Sequence, residues 1–79
     1  MSAMTAEEFV AAFAAAAGAP APTEEEVGQL LDLAAVAAHS SERIAAPLCC
    51  YVAGLTGRPA GELLALAREV AEGAGGPET

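Results

Sequence analysis

The chain has 79 residues and a mass of 7.8 kDa, which is room for one small domain. Three arginines, no lysine and eleven acidic residues give a formal net charge of −8, and this charge argues against a nucleic-acid partner because phosphates would be repelled. A hydrophobic content of 54% excludes disorder of the whole chain.

Three breaks rich in Gly, Pro or Ser divide the sequence, at residues 18–22, 40–41 and 57–59. They predict an all-α fold: a compact four-helix domain over residues 5–72, as an orthogonal or up-down bundle of three long helices and one shorter helix around an Ala-rich core. Residues 1–4 are expected to be flexible and residues 73–79 to form a disordered tail.

From the sequence we expect neither a membrane span nor a secretory signal. No apolar run approaches the roughly 20 residues that cross a bilayer, and the first residues lack a basic region. We therefore expect a cytoplasmic protein with no membrane partner, in which Cys49 and Cys50 remain thiols.

The first helix is predicted from Ala6 to Ala17. Thr5 is expected to be its N-cap, with Glu8 completing a capping box, and Gly18 its left-handed stop. One face carries the apolar residues expected to enter the core: Phe9, Val10, Phe13 and Ala17.

The second helix repeats this start, with Thr23 as N-cap and Glu26 as its capping-box partner, and should end near His39. The expected core stripe is Val27, Leu30, Leu31, Ala34, Ala37 and Ala38, widened by Leu33. Val36 falls among polar positions, which makes it a candidate surface contact.

The third and fourth helices are predicted to begin near Pro47 and Pro59. The expected buried side of the third is Leu48, Tyr51, Val52 and Leu55, with Gly54 admitting a close neighbour and Gly57 ending the helix. The expected apolar stripe of the fourth is Leu63, Leu64, Leu66, Ala67, Val70 and Ala71, ending at Gly73.

One cluster collects polar groups: His39, Ser40, Ser41, Glu42 and Arg43. A serine nucleophile with His39 as base is disfavoured, because residues so close in sequence rarely reach the required geometry. The favoured interpretation is that the serines cap a helix junction while His39 and Arg43 meet the carbonyl end of the preceding helix. A binding role for His39 or Arg43, toward a carboxylate or phosphate, stays open.

Known small-domain chemistries fit these residues poorly. His39, Cys49 and Cys50 lack the spacing of a zinc site, so no metal and no cofactor are predicted. Acyl carrier proteins share the size, acidity and helix count, but their attachment signature, Asp-Ser-Leu or close to it, is matched by neither Ser40 nor Ser41.

A closer resemblance lies in the central block, carried by residues 31–34 (Leu-Asp-Leu-Ala), 37–39 (Ala-Ala-His), Arg43, 45–48 (Ala-Ala-Pro-Leu) and 53–55 (Ala-Gly-Leu). This pattern, within about Phe9 to Val70, resembles a small actinobacterial all-helical domain family of unknown function. The family occurs alone or fused to molybdenum-cofactor guanylyltransferase-like proteins, and it commonly has a proline soon after its arginine, where Ile44 follows here. The resemblance implies an accessory domain near molybdenum-enzyme maturation, with no catalytic residues to carry over.

We therefore predict a non-enzymatic accessory or protein-interaction domain, whose partner is itself or a molybdenum-cofactor biosynthesis protein. The alternative is a module that binds a small ligand containing a pterin or a phosphate, with His39 and Arg43 as polar anchors and Tyr51 packing alongside. A further alternative is an acyl-carrier-like protein without the standard attachment motif.

Overall fold

The computed structural model describes residues 4–74, which form four α-helices and no β-strand. The helices are α1 (Ala6–Ala17), α2 (Glu24–Ser40), α3 (Ala45–Thr56) and α4 (Ala60–Ala74). The predicted all-α, four-helix architecture is confirmed. The predictions for residues 1–3 and 75–79 lie outside the described residues.

Local capping fixes the first two helices where the sequence predicts them. The Thr5 hydroxyl accepts from the Glu8 N–H at 3.1 Å, and the Glu8 carboxylate accepts from the Thr5 N–H at 2.9 Å. Thr23 and Glu26 form the same reciprocal pair at the start of α2. Gly18, with φ of 78°, ends α1 in the left-handed region that an L side chain disfavours.

The start of α3 differs from the prediction by two residues. A turn in which the Glu42 carbonyl accepts from the Ala45 N–H leads directly into the helix, so α3 begins at Ala45. Pro47 then lies within the first turn, where its missing N–H leaves no intrahelical bond unmade. At the other end of the molecule, α4 continues to Ala74, one residue beyond the predicted stop at Gly73.

The packed part of the molecule centres on α2. The extensively packed helix pairs among residues 4–74 are α2 with α3 and α2 with α4. The buried cluster that joins them is Leu33, Ala53, Leu63 and Leu64, with Val36, Cys50, Leu66 and Ala67 packed against it. The core is therefore small, and α3 contributes only small side chains to it.

On α2, the predicted core stripe is only partly right. Leu33 is the most buried residue of the cluster, at 3% exposure, whereas Leu31, placed in the stripe by its spacing, is 65% exposed. Val36, predicted as a surface contact, is half-buried against the core. The physical reason is that α3 and α4 pack on the side of α2 that carries Leu33, which leaves Leu31 facing away.

The predicted core face of α1 is wrong. Phe9 and Phe13 are 60% and 65% exposed, Val10 and Ala17 are exposed as well, and Ala14 is the buried residue of this helix. The reason is that α1 packs extensively on no other helix within residues 4–74.

The predicted buried side of α3 is wrong too. Its four large residues, Leu48, Tyr51, Val52 and Leu55, are 58–68% exposed. Gly54 admits no close neighbour, since a Cβ built there would meet nothing within 4 Å. Val70, predicted to lie in the apolar stripe of α4, is also exposed.

Candidate functional site

The predicted polar anchors are all on the surface. His39 lies in the last turn of α2, Arg43 in the turn before α3, and Tyr51 in the middle of α3, and each is exposed. Within residues 4–74, none of the three side chains makes a hydrogen bond or an ion pair with another residue. The predicted contact of Arg43 with the carbonyl end of α2 is therefore not formed.

At the junction between α2 and α3, a serine caps the end of α2 but none caps the start of α3. Ser41 is the C-cap of α2: its N–H donates to the Ala37 carbonyl, and its hydroxyl accepts from the Glu42 N–H. Neither serine caps α3, whose N-cap residue Ile44 makes no side-chain hydrogen bond. No side-chain hydrogen bond joins a serine to His39 in the part of the chain that is described.

The two cysteines are free thiols that differ in environment. Cys50 packs against the core and is half-buried, while its neighbour Cys49 is exposed. Burial raises the pKa of the Cys50 thiol above its ordinary value of 9.0, and the nearby Cys49 thiolate raises it further. Cys50 thus behaves as a small core residue that stays protonated near neutral pH.

An exposed apolar surface lies on α3, on the side opposite its packing face. We define the α3 outer face as Ile44, Leu48, Tyr51, Val52 and Leu55. All five are more than half exposed. Four of them follow one another at intervals of four, three and four residues, the spacing that forms a continuous seam along one side of a helix.

No charged residue interrupts this surface, because residues 45–56 contain none at all. A helix that is apolar on every side is normally covered on every side. Here α2 covers only the side of Cys50 and Ala53. The sequence already shows that α3 has no charged face. Residue spacing, however, predicts that its larger residues form the buried side, and this prediction is wrong.

The α3 outer face continues into a groove between α3 and α4. Val52 on one wall and Leu66 and Val70 on the other line this groove, and Leu33 of α2 also borders it. Its volume is about 240 Å³. Because α3 and α4 both pack on α2, an apolar groove is left between them in which a further helix could pack.

α1 presents a second uncovered apolar surface. Phe9 and Phe13 are one helical turn apart and exposed, and the rest of the helix after Glu8 consists of Val10 and alanines. We call Phe9, Val10 and Phe13 the α1 aromatic face. Exposed aromatic and aliphatic residues grouped in this way mark protein or membrane interaction sites or ligand-binding grooves.

Residues 4–74 contain neither a helix that could span a membrane nor a cluster of metal ligands. Among residues 4–74, no helix is both long and apolar enough to cross a bilayer. Within the same range, no three His, Cys, Asp or Glu side chains are grouped so that they could hold a metal ion.

Comparison with known proteins gave one match. A family model, described as Domain of unknown function (DUF6457), matches residues 1–60, which include the whole of α1, α2 and α3 and the first residue of α4. No curated protein matches the chain. No solved structure matches it either.

Proposed function

The chain belongs to this family, Domain of unknown function (DUF6457), and from that premise we propose that it is a non-catalytic accessory domain that acts by binding protein. The observation that carries the proposal is the α3 outer face, five large apolar residues that residues 4–74 leave more than half exposed. Such a surface exposes an unfavourable amount of apolar area to water, and a protein partner would remove that cost.

The partner we propose is a second copy of the chain or a molybdenum-cofactor biosynthesis protein. The molybdenum link rests on the resemblance of the central block, from Leu31 to Leu55, to domains fused to guanylyltransferase-like proteins. The acidic character of the chain, at a net charge of −8, supports a protein rather than a nucleic acid as the partner.

Binding can be tested with one variant and a matched control. The double variant Leu48→Gln/Leu55→Gln removes two residues from the α3 outer face, and Leu31→Gln changes an equally exposed leucine on α2. Sedimentation velocity would follow self-association and complex formation with the molybdenum-cofactor guanylyltransferase of the same host.

We expect the wild type and Leu31→Gln to associate with at least one of these two partners, and the double variant to lose that association. An absence of both associations in the wild type, or equal binding by the double variant, would contradict the proposal. Circular dichroism on each variant controls for folding.

A small-ligand role is the second candidate, favoured by an apolar hollow of about 290 Å³ between α2, α3 and α4. Val36, Cys49 and Val70 lie on its wall, and Ser40 and Ser41 border it. The predicted anchors, His39 and Arg43, flank these serines in sequence.

Titration with a pterin and with inorganic phosphate tests this role. Arg43→Ala should abolish binding, while Arg68→Ala, an exposed arginine on α4, should preserve it. Unchanged binding by Arg43→Ala, or no binding by the wild type, would exclude Arg43 as an anchor.

A further inference from the structure

Among residues 4–74, two apolar surfaces are exposed, and they differ in the helices that carry them. The α1 aromatic face belongs to a helix that packs extensively on no other helix within residues 4–74. The α3 outer face belongs to the packed unit of α2, α3 and α4, which has a groove between α3 and α4. The α1 aromatic face lies on a helix against which no other helix of residues 4–74 packs extensively, and the α3 outer face is the surface on which a fourth bundle helix would pack.

The connection between α1 and α2 keeps α1 away from its own α3. Residues 19–22 read Ala-Pro-Ala-Pro, in which each proline fixes its own φ and extends the residue before it, so the segment is a stiff spacer. Pro22 lines a concavity that Val10 shares with Val27 of α2. The starts of α1 and α2 therefore border one concavity, α1 does not pack extensively on α3 within residues 4–74, and the groove beside α3 stays open.

Area and charge favour α1 of a second copy over α3 of a second copy as the occupant. Two α3 outer faces packed together would leave the α1 aromatic face of each copy uncovered. They would also bring Arg43 near Arg43 in the parallel direction, whereas Arg58, at the other end of α3, is paired with Glu62 at 3.2 Å. The charges of α1 are Glu7 and Glu8 in its first turn, and α1 laid parallel to α3 brings them near Arg43, which makes no ion pair within residues 4–74.

The exposed apolar area of the two faces is close to the area that each partner buries in a stable dimer. The three aromatic residues of the two surfaces expose 60–68% of their area, which is roughly 400 Å² for residues of about 200 Å² each. With the aliphatic residues of both surfaces the area reaches roughly 800 Å² per chain, the share of one partner in an interface of standard size.

We propose that the protein forms a two-fold dimer by helix exchange, in which α1 of each copy packs its aromatic face along the α3 outer face of the other. The arrangement is reciprocal, so both surfaces of both copies are covered at once. This inference rests on the proposed function, because it names the partner of the α3 outer face.

Mixing two complementary variants tests the exchange. One variant, Phe9→Gln/Phe13→Gln, damages only α1, and the other, Leu48→Gln/Leu55→Gln, damages only α3. All four residues are exposed, and circular dichroism confirms that each variant keeps its helices. Sedimentation with one variant fluorescently labelled reports association of each variant alone and of the mixture.

Each variant alone carries its two substitutions in both copies of the dimer, so four apolar residues are lost. At about tenfold for each, it should dimerise about 10⁴-fold more weakly than the wild type. The mixture should regain about a hundredfold of this loss. One of its two α1–α3 contacts is intact, and in the other the glutamines of both helices remove the same contact, so their costs are not summed. Leu31→Gln, the control, should dimerise like the wild type.

Three results would overturn the exchange, and they bear differently on the proposed function. If the α1 variant dimerises like the wild type, or if mixing restores nothing, α1 is not the occupant, while loss of association in the α3 variant still supports the α3 outer face as a binding surface. If the wild type stays monomeric at every concentration, the exchange is wrong, and the proposed function then depends on binding to the guanylyltransferase.

Discussion

The side-chain amide of Gln29 on α2 lies directly over Gly61 on α4, so that a Cβ at position 61 would be 2.9 Å from the Gln29 Nε2. This is the closest approach that the glycines of residues 4–74 make to a neighbouring helix, and it occurs in one of the two extensively packed helix pairs. The neighbour is the end of a flexible side chain rather than backbone, so it can move aside.

Gly61→Ala should therefore change the free energy of unfolding by less than about 0.5 kcal/mol, because displacement of Gln29 offsets the higher helix propensity of alanine. In a Gln29→Ala background the same substitution should stabilise the protein by about 0.5–1 kcal/mol. Urea unfolding of the four proteins in this cycle measures the difference. Strictly additive effects would show that the two residues do not meet.

Two leucines two positions apart on α2 should respond very differently to truncation. Leu33→Ala leaves a cavity beneath α3 and α4 and should cost about 2–4 kcal/mol, a large part of the stability of so small a domain. Leu31→Ala should change it by less than about 0.5 kcal/mol, since that side chain is 65% exposed. Thermal unfolding measures both, and equal losses would contradict the described packing.

The two capping boxes should contribute to stability in different ways. Thr23→Ala should lower the free energy of global unfolding by about 1 kcal/mol, because α2 carries the packing of both α3 and α4. Thr5→Ala should fray α1 and reduce helicity while leaving the global transition nearly unchanged, since α1 adds little to the packed unit. Hydrogen exchange resolved by helix, together with urea unfolding, separates the two effects. A matching loss of global stability in both variants would show that α1 belongs to the cooperative core.

Cys50 should make stability fall at high pH. Burial and the Cys49 thiolate hold the pKa of its thiol in the folded state above 9.0, so the unfolded chain releases this proton first as the pH rises. The stabilising contribution is complete below about pH 9 and is lost as the pH rises through the raised value.

Urea unfolding between pH 7 and pH 11 checks this, at about one-unit steps, with Cys50→Ala as the variant that should lose this part of the pH dependence. Iodoacetamide should also alkylate the exposed Cys49 before Cys50. Equal alkylation rates, or an identical pH profile for Cys50→Ala, would contradict the assigned burial.

The ends of the helices could be predicted from the sequence because they depend on neighbours within four residues. Thr5 with Glu8, Thr23 with Glu26, and Gly18 are local devices whose chemistry is complete before any helix meets another. α3 is the exception: no side chain caps it, and its first residue is set by backbone hydrogen bonds of the preceding turn, which leave little trace in residue type.

The faces of the helices could not be predicted in the same way, because they depend on which helix lies against which. On α2 both Leu31 and Leu33 are apolar, and only the direction in which α3 and α4 pack decides between them. On α3 there is no charged side to mark the outside, so residue spacing predicts that the larger residues enter the core. In the structure the small residues Cys50 and Ala53 occupy it. The polar anchors predicted from His39 and Arg43 remain a prediction.

Tyr51 provides the most direct test of the α3 outer face, because it is the only tyrosine and the chain has no tryptophan. Replacing this tyrosine with fluorotyrosine therefore places a fluorine label on one residue of this surface. Paramagnetic quenching of its fluorine NMR signal by a soluble spin label measures its exposure to water, even when an unlabelled partner protein is present. The account predicts that quenching decreases as the protein concentration is raised, or as the guanylyltransferase is added, because a partner covers the ring. Quenching that stays at the level of a solvent-exposed tyrosine at every concentration, with and without the guanylyltransferase, would contradict it.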